Sequence, residues 1–358
     1  MNTDRLHSLD YLRGIAALGI MLFHYFGRFY NEFTADSVMG RIGVYGVSIF
    51  YVLSGLTLYH VYFNKMKPSR NDLIDFFIKR AFRIFPLLWL VIAFTFFEFI
   101  KKPGFVTVFL NLSGLFGIVQ WDAYIGEGVW SIGNELVFYL FFPLFVFFSK
   151  RESKNYLIFI SVLLLGIYLY FAFIKLNTRQ TLGHQWSLYI NPLNQVFLFL
   201  GGYLIGYLFS HSQLSRSINL LLLISSVLVF FLYPADGDSI TLVTGINRII
   251  FTCLCFTICY SFYKSQIELP RFAEKYLSTL GKASYSVYLL HPVTAYYGTV
   301  SFHVIEKYIF SIHVPMMLQY LIIGIFTLLM SNFVYLKFEK YFMGKGRVIS
   351  GKLTYTKK

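Results

Sequence analysis

Charge is scarce in this sequence. Only 13% of its residues are Asp, Glu, Lys or Arg, against 57% hydrophobic, and the mean hydropathy is +0.61. That excludes a water-soluble domain, in which roughly 25% of residues are charged. Ten-residue segments of alternating polarity are also absent, which excludes an outer-membrane barrel. The first apolar segment has no small-residue cleavage site, so it reads as an uncleaved span. Cysteine is nearly missing. Cys253, Cys255 and Cys259 fall inside one apolar run and read as packing rather than as disulfide or zinc chemistry, and no metal is expected. Acidic residues are few, 17 against 31 Lys and Arg, which leaves a net charge of +14. Such a charge can mark a nucleic-acid binder, but its placement argues against nucleic acid as a partner.

What is abundant is apolar sequence in runs of about 20 residues, the length that crosses a roughly 30 Å hydrocarbon core. The predicted spans are 9–29, 43–63, 84–100, 129–149, 156–174, 193–210, 218–232, 244–263, 284–304 and 315–336. This is an all-α polytopic integral membrane protein of about ten transmembrane helices. With the N-terminus inside, only Arg28, Arg41, Lys101, Lys102, Lys175, Arg179 and Lys307 fall in outer loops, and the other loop Lys and Arg lie inside. That is the positive-inside bias, and it predicts both termini in the cytosol. The domain division is 1–337 for the membrane domain and 338–358 for a short basic cytosolic tail, expected to be poorly ordered. No internal repeat is visible. The loop between the second and third spans ends in an amphipathic stretch that runs into the membrane, with Pro86 near the start of the third span. The segment from Lys101 to Gly128 is predicted to hold a re-entrant or interfacial helix, because an extra crossing would invert the charge bias downstream.

Against this background, ionisable residues inside spans stand out, since each costs about 2.5–3.5 kcal/mol or more. Arg13 and His24 share the first span. Their spacing puts both on one face at depths about 16 Å apart, too far to pair but suited to a long ligand threaded along the helix. The plainer alternative is that Arg13 snorkels to the cytosolic interface and His24 hydrogen-bonds within the bundle. Lys79, Arg80 and Arg83 converge on one helix face near the cytosol and suit a phosphorylated ligand, or else are topogenic charge. His24 and Glu135 fall at nearly the same depth, about 7 and 9 Å from the outer face. A carboxylate orienting a histidine makes a better general base. Alternatively Glu135 is the counter-charge of Arg248, which lies about a turn into the eighth span. His291, in SYSVYLLHP, either lines the same cavity or is a packing residue beside a proline. The outer segment WDAYIGEGVW combines Trp121, Asp122, Tyr124, Glu127 and Trp130, which suits a sugar or an interfacial aromatic belt.

Four of these motifs resemble one family. Arg13 and His24 in the first span, KRAFRIFP before the third, WSIGNE opening the fourth and SYSVYLLHP in the ninth are similar to the acyltransferase-3 family of bacterial membrane acyltransferases. The resemblance follows nearly the whole chain. Lys79 stands where relatives often have arginine, which weakens bidentate phosphate binding there. The resemblance implies an inner-membrane O-acetyltransferase, of the standalone type, that uses cytosolic acetyl-CoA to acylate a cell-surface glycan or its lipid-linked precursor. It implies Arg13, Lys79, Arg80 and Arg83 on the donor phosphates, and His24 with Glu135 as the catalytic layer. Trp121, Asp122, Trp130, Arg248 and His291 are expected around the acceptor. An acyl-histidine relay is the alternative chemistry. The competing function is a transporter or flippase of a lipid-linked sugar, which an inverted repeat would favour.

Overall fold

The computed structural model describes residues 6–30, 33–265, 269–310 and 314–355, and among them the chain is helical with no strand. The first half contains α1 (His7–Phe26), α2 (Val38–Tyr62), α3 (Arg70–Glu98), α4 (Phe105–Ser113), α5 (Phe116–Val119), α6 (Val129–Lys150) and α7 (Asn155–Tyr170). The second half contains α8 (Trp186–Tyr189), α9 (Pro192–Phe209), α10 (Arg216–Leu232), α11 (Gly245–Lys264), α12 (Arg271–Lys282), α13 (Ser284–Ile305), α14 (Met316–Val334) and α15 (Lys340–Tyr355). A helix stands at every predicted span. Seven helical stretches in the described residues are long and apolar enough to cross a membrane, which makes this an integral membrane protein. They do not include α10, which has 17 residues, or α1 and α13, which hold Arg13, His24 and His291.

Small residues decide how these helices meet, as expected where lipid gives no hydrophobic drive to association. α2 and α9 form the most extensive pair. At their crossing a Cβ on Gly55 would lie 2.0 Å from the Phe199 carbonyl oxygen, and one on Gly202 would lie 1.9 Å from that of Val52. The two backbones therefore touch. Around this crossing Tyr51, Leu53, Leu56, Phe138, Phe199 and Tyr203 form part of the buried core.

α3 is one continuous helix with Pro86 inside it, so the basic cluster and the apolar span lie on a single rod. Ser69 caps its start by accepting the Asp72 N–H at 3.1 Å. The Lys101–Gly128 segment folds as two short helices, α4 and α5, with Asn111 as their anchor. Its side-chain amide donates to the carbonyls of Thr107 and Ala123, and its oxygen accepts the Ile125 N–H at 2.8 Å.

The tail differs from expectation. Residues 340–355 form α15, which packs antiparallel along the first half of α3. Gly346, Ser350 and Thr354 recur every fourth residue and are buried, so they form one small-residue stripe. A Cβ at Gly346 would meet Phe82 at 2.6 Å, the Ser350 hydroxyl donates to Asp75, and the Asn71 amide donates to the Thr354 carbonyl. Composition reads as a solvated basic tail, but the stripe gives the helix a face to dock.

Candidate active site

Three cavities lie in series and share walls. The first, about 390 Å³, sits between the α2–α3 corner and α15, and Lys65, Lys79, Arg80, Arg83 and Arg347 line it. The second, about 200 Å³, shares Val61, Arg80 and Arg83 with the first and adds Arg13, Glu135 and Tyr139. The third, about 560 Å³, shares Val47 and Tyr288 with the second. Its walls carry His24, Arg28, Glu127, Trp130 and Trp186.

Tyr288 is thus the partition between the second and third cavities. Its hydroxyl donates to the Gly128 carbonyl at 3.1 Å and lies 2.8 Å from the Ser131 hydroxyl. Gly128 can serve here because it takes φ +80°, a left-handed conformation that suits glycine, as the chain turns into α6.

The four predicted donor residues all line the first two cavities. Arg13 donates to the Leu53 carbonyl at 3.2 Å and to the Thr57 hydroxyl, and pairs with Asp10 at 3.6 Å. Arg80 donates to the Tyr62 hydroxyl and stacks over the rings of Tyr62 and Tyr139. Lys79 is paired with Asp75 at 2.6 Å, so its charge is largely compensated within its own helix.

The expected His24–Glu135 pairing is not the one the fold makes. Glu135 accepts from the Ser54 hydroxyl at 2.8 Å and from the Tyr139 hydroxyl at 2.6 Å, within the second cavity. The carboxylate beside His24 is Glu127, with Oε1 at 3.6 Å from Nε2. Glu127 stands just ahead of α6, about two helical turns before Glu135 in sequence, and that offset moves the carboxylate from one side of the Tyr288 partition to the other. Glu127 also pairs with Arg28 at 3.1 Å.

His24 finds its partner on α13 instead. Its Nδ1 lies 2.9 Å from His291 Nε2, and the two rings stack with centroids 4.9 Å apart. The direction of this bond follows from the next one. His291 Nδ1 is 3.1 Å from the Val287 carbonyl, which can only accept, so Nδ1 carries the proton. In the neutral ring, His291 Nε2 then holds the lone pair and must accept from His24 Nδ1–H. His24 Nε2 is left with its own lone pair beside Glu127, on the wall of the third cavity. His291 is fully buried, lines none of the three cavities and meets His24.

Around the third cavity, Trp130 is a wall residue, edge-to-face with Trp186 at 5.5 Å. Trp121 and Asp122 instead clasp α8: the Trp121 indole donates to the Ser187 carbonyl, and the Asp122 carboxylate accepts from the Ser187 hydroxyl. They thereby place Trp186. The Trp186 indole donates to the Tyr124 hydroxyl at 2.9 Å. Burial pushes the Tyr124 phenol up, which keeps it protonated. Arg248 is buried and is neither the Glu135 counter-charge nor a wall of these three cavities. It donates to the Asn194 side chain at 2.7 Å and to the Asn194 and Val243 carbonyls, with its guanidinium 4.1 Å above the Tyr168 ring. Arg28, Trp186 and Tyr288 are wall residues that sequence reasoning missed. Arg28 left a signal, four residues after His24, and so did Tyr288, which stands in SYSVYLLHP three residues before His291.

A family model described as an acyltransferase domain, that of acyltransferase-3, matches residues 6–336. The chain belongs to the acyltransferase-3 family. The chain is also 25% identical over 319 residues to the O-acetyltransferase OatA of Staphylococcus aureus (strain NCTC 8325), covering 80% of this chain and 50% of OatA. It is 27% identical over 236 residues to an uncharacterized protein of Haemophilus influenzae, covering 58% of this chain and 96% of that protein. The chain therefore spans about half the length of OatA. No solved structure matches it. The family assignment makes this membrane-embedded domain an acyltransferase domain, and α15 lies beyond the matched residues.

Proposed function

We propose that the protein is an O-acetyltransferase of the bacterial inner membrane. In this reading it moves an acetyl group from cytosolic acetyl-CoA to a hydroxyl of a cell-surface glycan or its lipid-linked precursor. The observation that carries the reading is the position of His24: Nδ1 is held by His291 and Nε2 lies beside Glu127, on a cavity whose Tyr288 wall is shared with a chain of arginine-lined cavities. The similarity to the O-acetyltransferase OatA supports the acetyl group and the oxygen acceptor. The membrane-spanning plan is ten helices with both termini in the cytosol, supported by the distribution of Lys and Arg. Cysteine labelling of the 101–128 segment from outside the cell tests that plan, and labelling only from the cytosol would reverse it.

The donor phosphates take Arg80 and Arg83, whose charge-assisted hydrogen bonds are the strong kind. The pantetheine arm lies past Arg13 in the second cavity and brings the thioester to the Tyr288 partition. On the other side Trp130 and Trp186 offer flat apolar faces, and Glu127 and Arg28 offer hydrogen-bonding groups, for a sugar ring. His24 Nε2 takes the proton of the sugar hydroxyl as its oxygen bonds to the thioester carbon. His291 holds the imidazole in the required tautomer, and the Glu127 carboxylate balances the imidazolium charge. The tetrahedral intermediate collapses with loss of the C–S bond, and the proton passes from His24 to the departing sulfur. The products are an O-acetyl ester and free CoA. Incubating the purified protein with acetyl-CoA and a lipid-linked glycan should give CoA release matched by acetylated sugar in the mass spectrum. Glycan movement across vesicles without CoA release would instead indicate a flippase.

A further inference from the structure

The first cavity has a wall that the family match does not reach. Met343 and Arg347 on α15 close it opposite Lys65, Arg80 and Arg83. Asp75 holds Lys79 and the α15 hydroxyl of Ser350, and Asp72 accepts the Lys67 backbone N–H at 2.8 Å. Lys65, Lys79, Arg80, Arg83 and Arg347 outnumber these two carboxylates, so the net charge facing a ligand is positive and comes from both sides of the gap. Arg80 is also incompletely satisfied: its buried Nε meets no hydrogen-bond partner among the described residues. A buried guanidinium N–H without an acceptor is costly, and an anionic oxygen would supply one.

We propose that α15 is a working wall of the donor site, with Arg347 binding the nucleotide phosphates of CoA across the cavity from Arg80 and Arg83. This rests on the acetyl-CoA reading above. CoA carries a pyrophosphate and a 3′-phosphate, a charge distribution that a single helix face of α3 cannot surround. An antiparallel helix carrying one further guanidinium can. The docking is built for this: the Gly346, Ser350 and Thr354 stripe sets α15 against α3, and Arg347, next to that stripe, turns toward the gap.

The test is calorimetric titration of CoA into the full-length protein in detergent, with adenosine 3′,5′-bisphosphate and pantetheine as separate probes. Arg347 is exposed, so Arg347→Ala should fold with an unchanged melting temperature. It should bind CoA and the bisphosphate about tenfold or more weakly, the loss expected for one charge-assisted hydrogen bond. Arg347→Lys should recover part of that affinity, and pantetheine binding should not change. If wild type binds CoA and Arg347→Ala binds it equally well, α15 is no part of the site and the donor reading stands. An equal loss for pantetheine would also overturn the role of Arg347 in holding phosphate. If wild type binds no CoA, the donor reading fails and this inference falls with it.

Discussion

His24 Nδ1 and His291 Nε2 lie 2.9 Å apart on two helices, separated by 267 residues in sequence. The Val287 carbonyl fixes the proton on the far side of His291, and so fixes the lone pair on the exposed side of His24. The chemistry proposed for this chain depends on that relay more than on any carboxylate.

His291→Phe keeps a ring in the buried slot but removes the acceptor for His24 Nδ1–H. The imidazole is then free to take the unproductive tautomer. Turnover should fall by about tenfold to a hundredfold, less than removal of the base itself. Initial rates of CoA release, with melting temperature as a check on folding, measure this. Wild-type turnover in a folded His291→Phe protein would remove the relay.

Glu127 is a weaker lever. Its side chain is 42% exposed, so solvent screens its attraction for an imidazolium 3.6 Å away. Glu127→Gln should lower turnover by about threefold to tenfold. Glu135→Gln, behind the Tyr288 partition, should act on the KM for acetyl-CoA instead. A large turnover loss in Glu135→Gln with none in Glu127→Gln would restore the pairing that depth alone suggests.

That contrast shows how far the sequence could be read. Hydropathy placed a helix at every predicted span, and the cost of intramembrane charge pointed to Arg13, His24, Glu135, Arg248 and His291. Depth counted along one helix gives height but not azimuth. Glu135 turns toward Ser54 on α2, while Glu127, in the turn before α6, reaches His24. Arg248 shows a different limit. A buried guanidinium need not have a carboxylate, and here an asparagine, two carbonyls and the Tyr168 ring satisfy it. The α15 stripe was present in the sequence as Gly346, Ser350 and Thr354, but net charge masked it.

On the donor side, replacing Arg80 and Arg83 together with Ala should raise the KM for acetyl-CoA by tenfold or more while membrane insertion stays normal. Each charge-assisted hydrogen bond contributes roughly 1.5–3 kcal/mol. An unchanged KM would leave the pair as a topology signal only.

Stability has its own test at the α2–α9 crossing. Gly202→Leu places side-chain atoms where the Val52 carbonyl already stands. Overpacking of this kind costs about 1–3 kcal/mol, and more where backbone must move. The melting temperature in detergent should drop clearly. Gly104→Ala, which meets nothing within 4 Å, should leave it unchanged. Equal melting of the two variants would mean the helices do not touch as described.

The central claim is that His24 accepts the sugar proton, and His24→Gln tests it most directly. Glutamine keeps a polar side chain of similar reach and can still hydrogen-bond to His291, but it takes no proton in the working pH range. Turnover measured as acetyl transfer should fall by about 10²–10⁴-fold in a protein that inserts and melts like wild type. Near-normal acetyl transfer by His24→Gln would contradict the account and leave the His24–His291 bond as a packing contact.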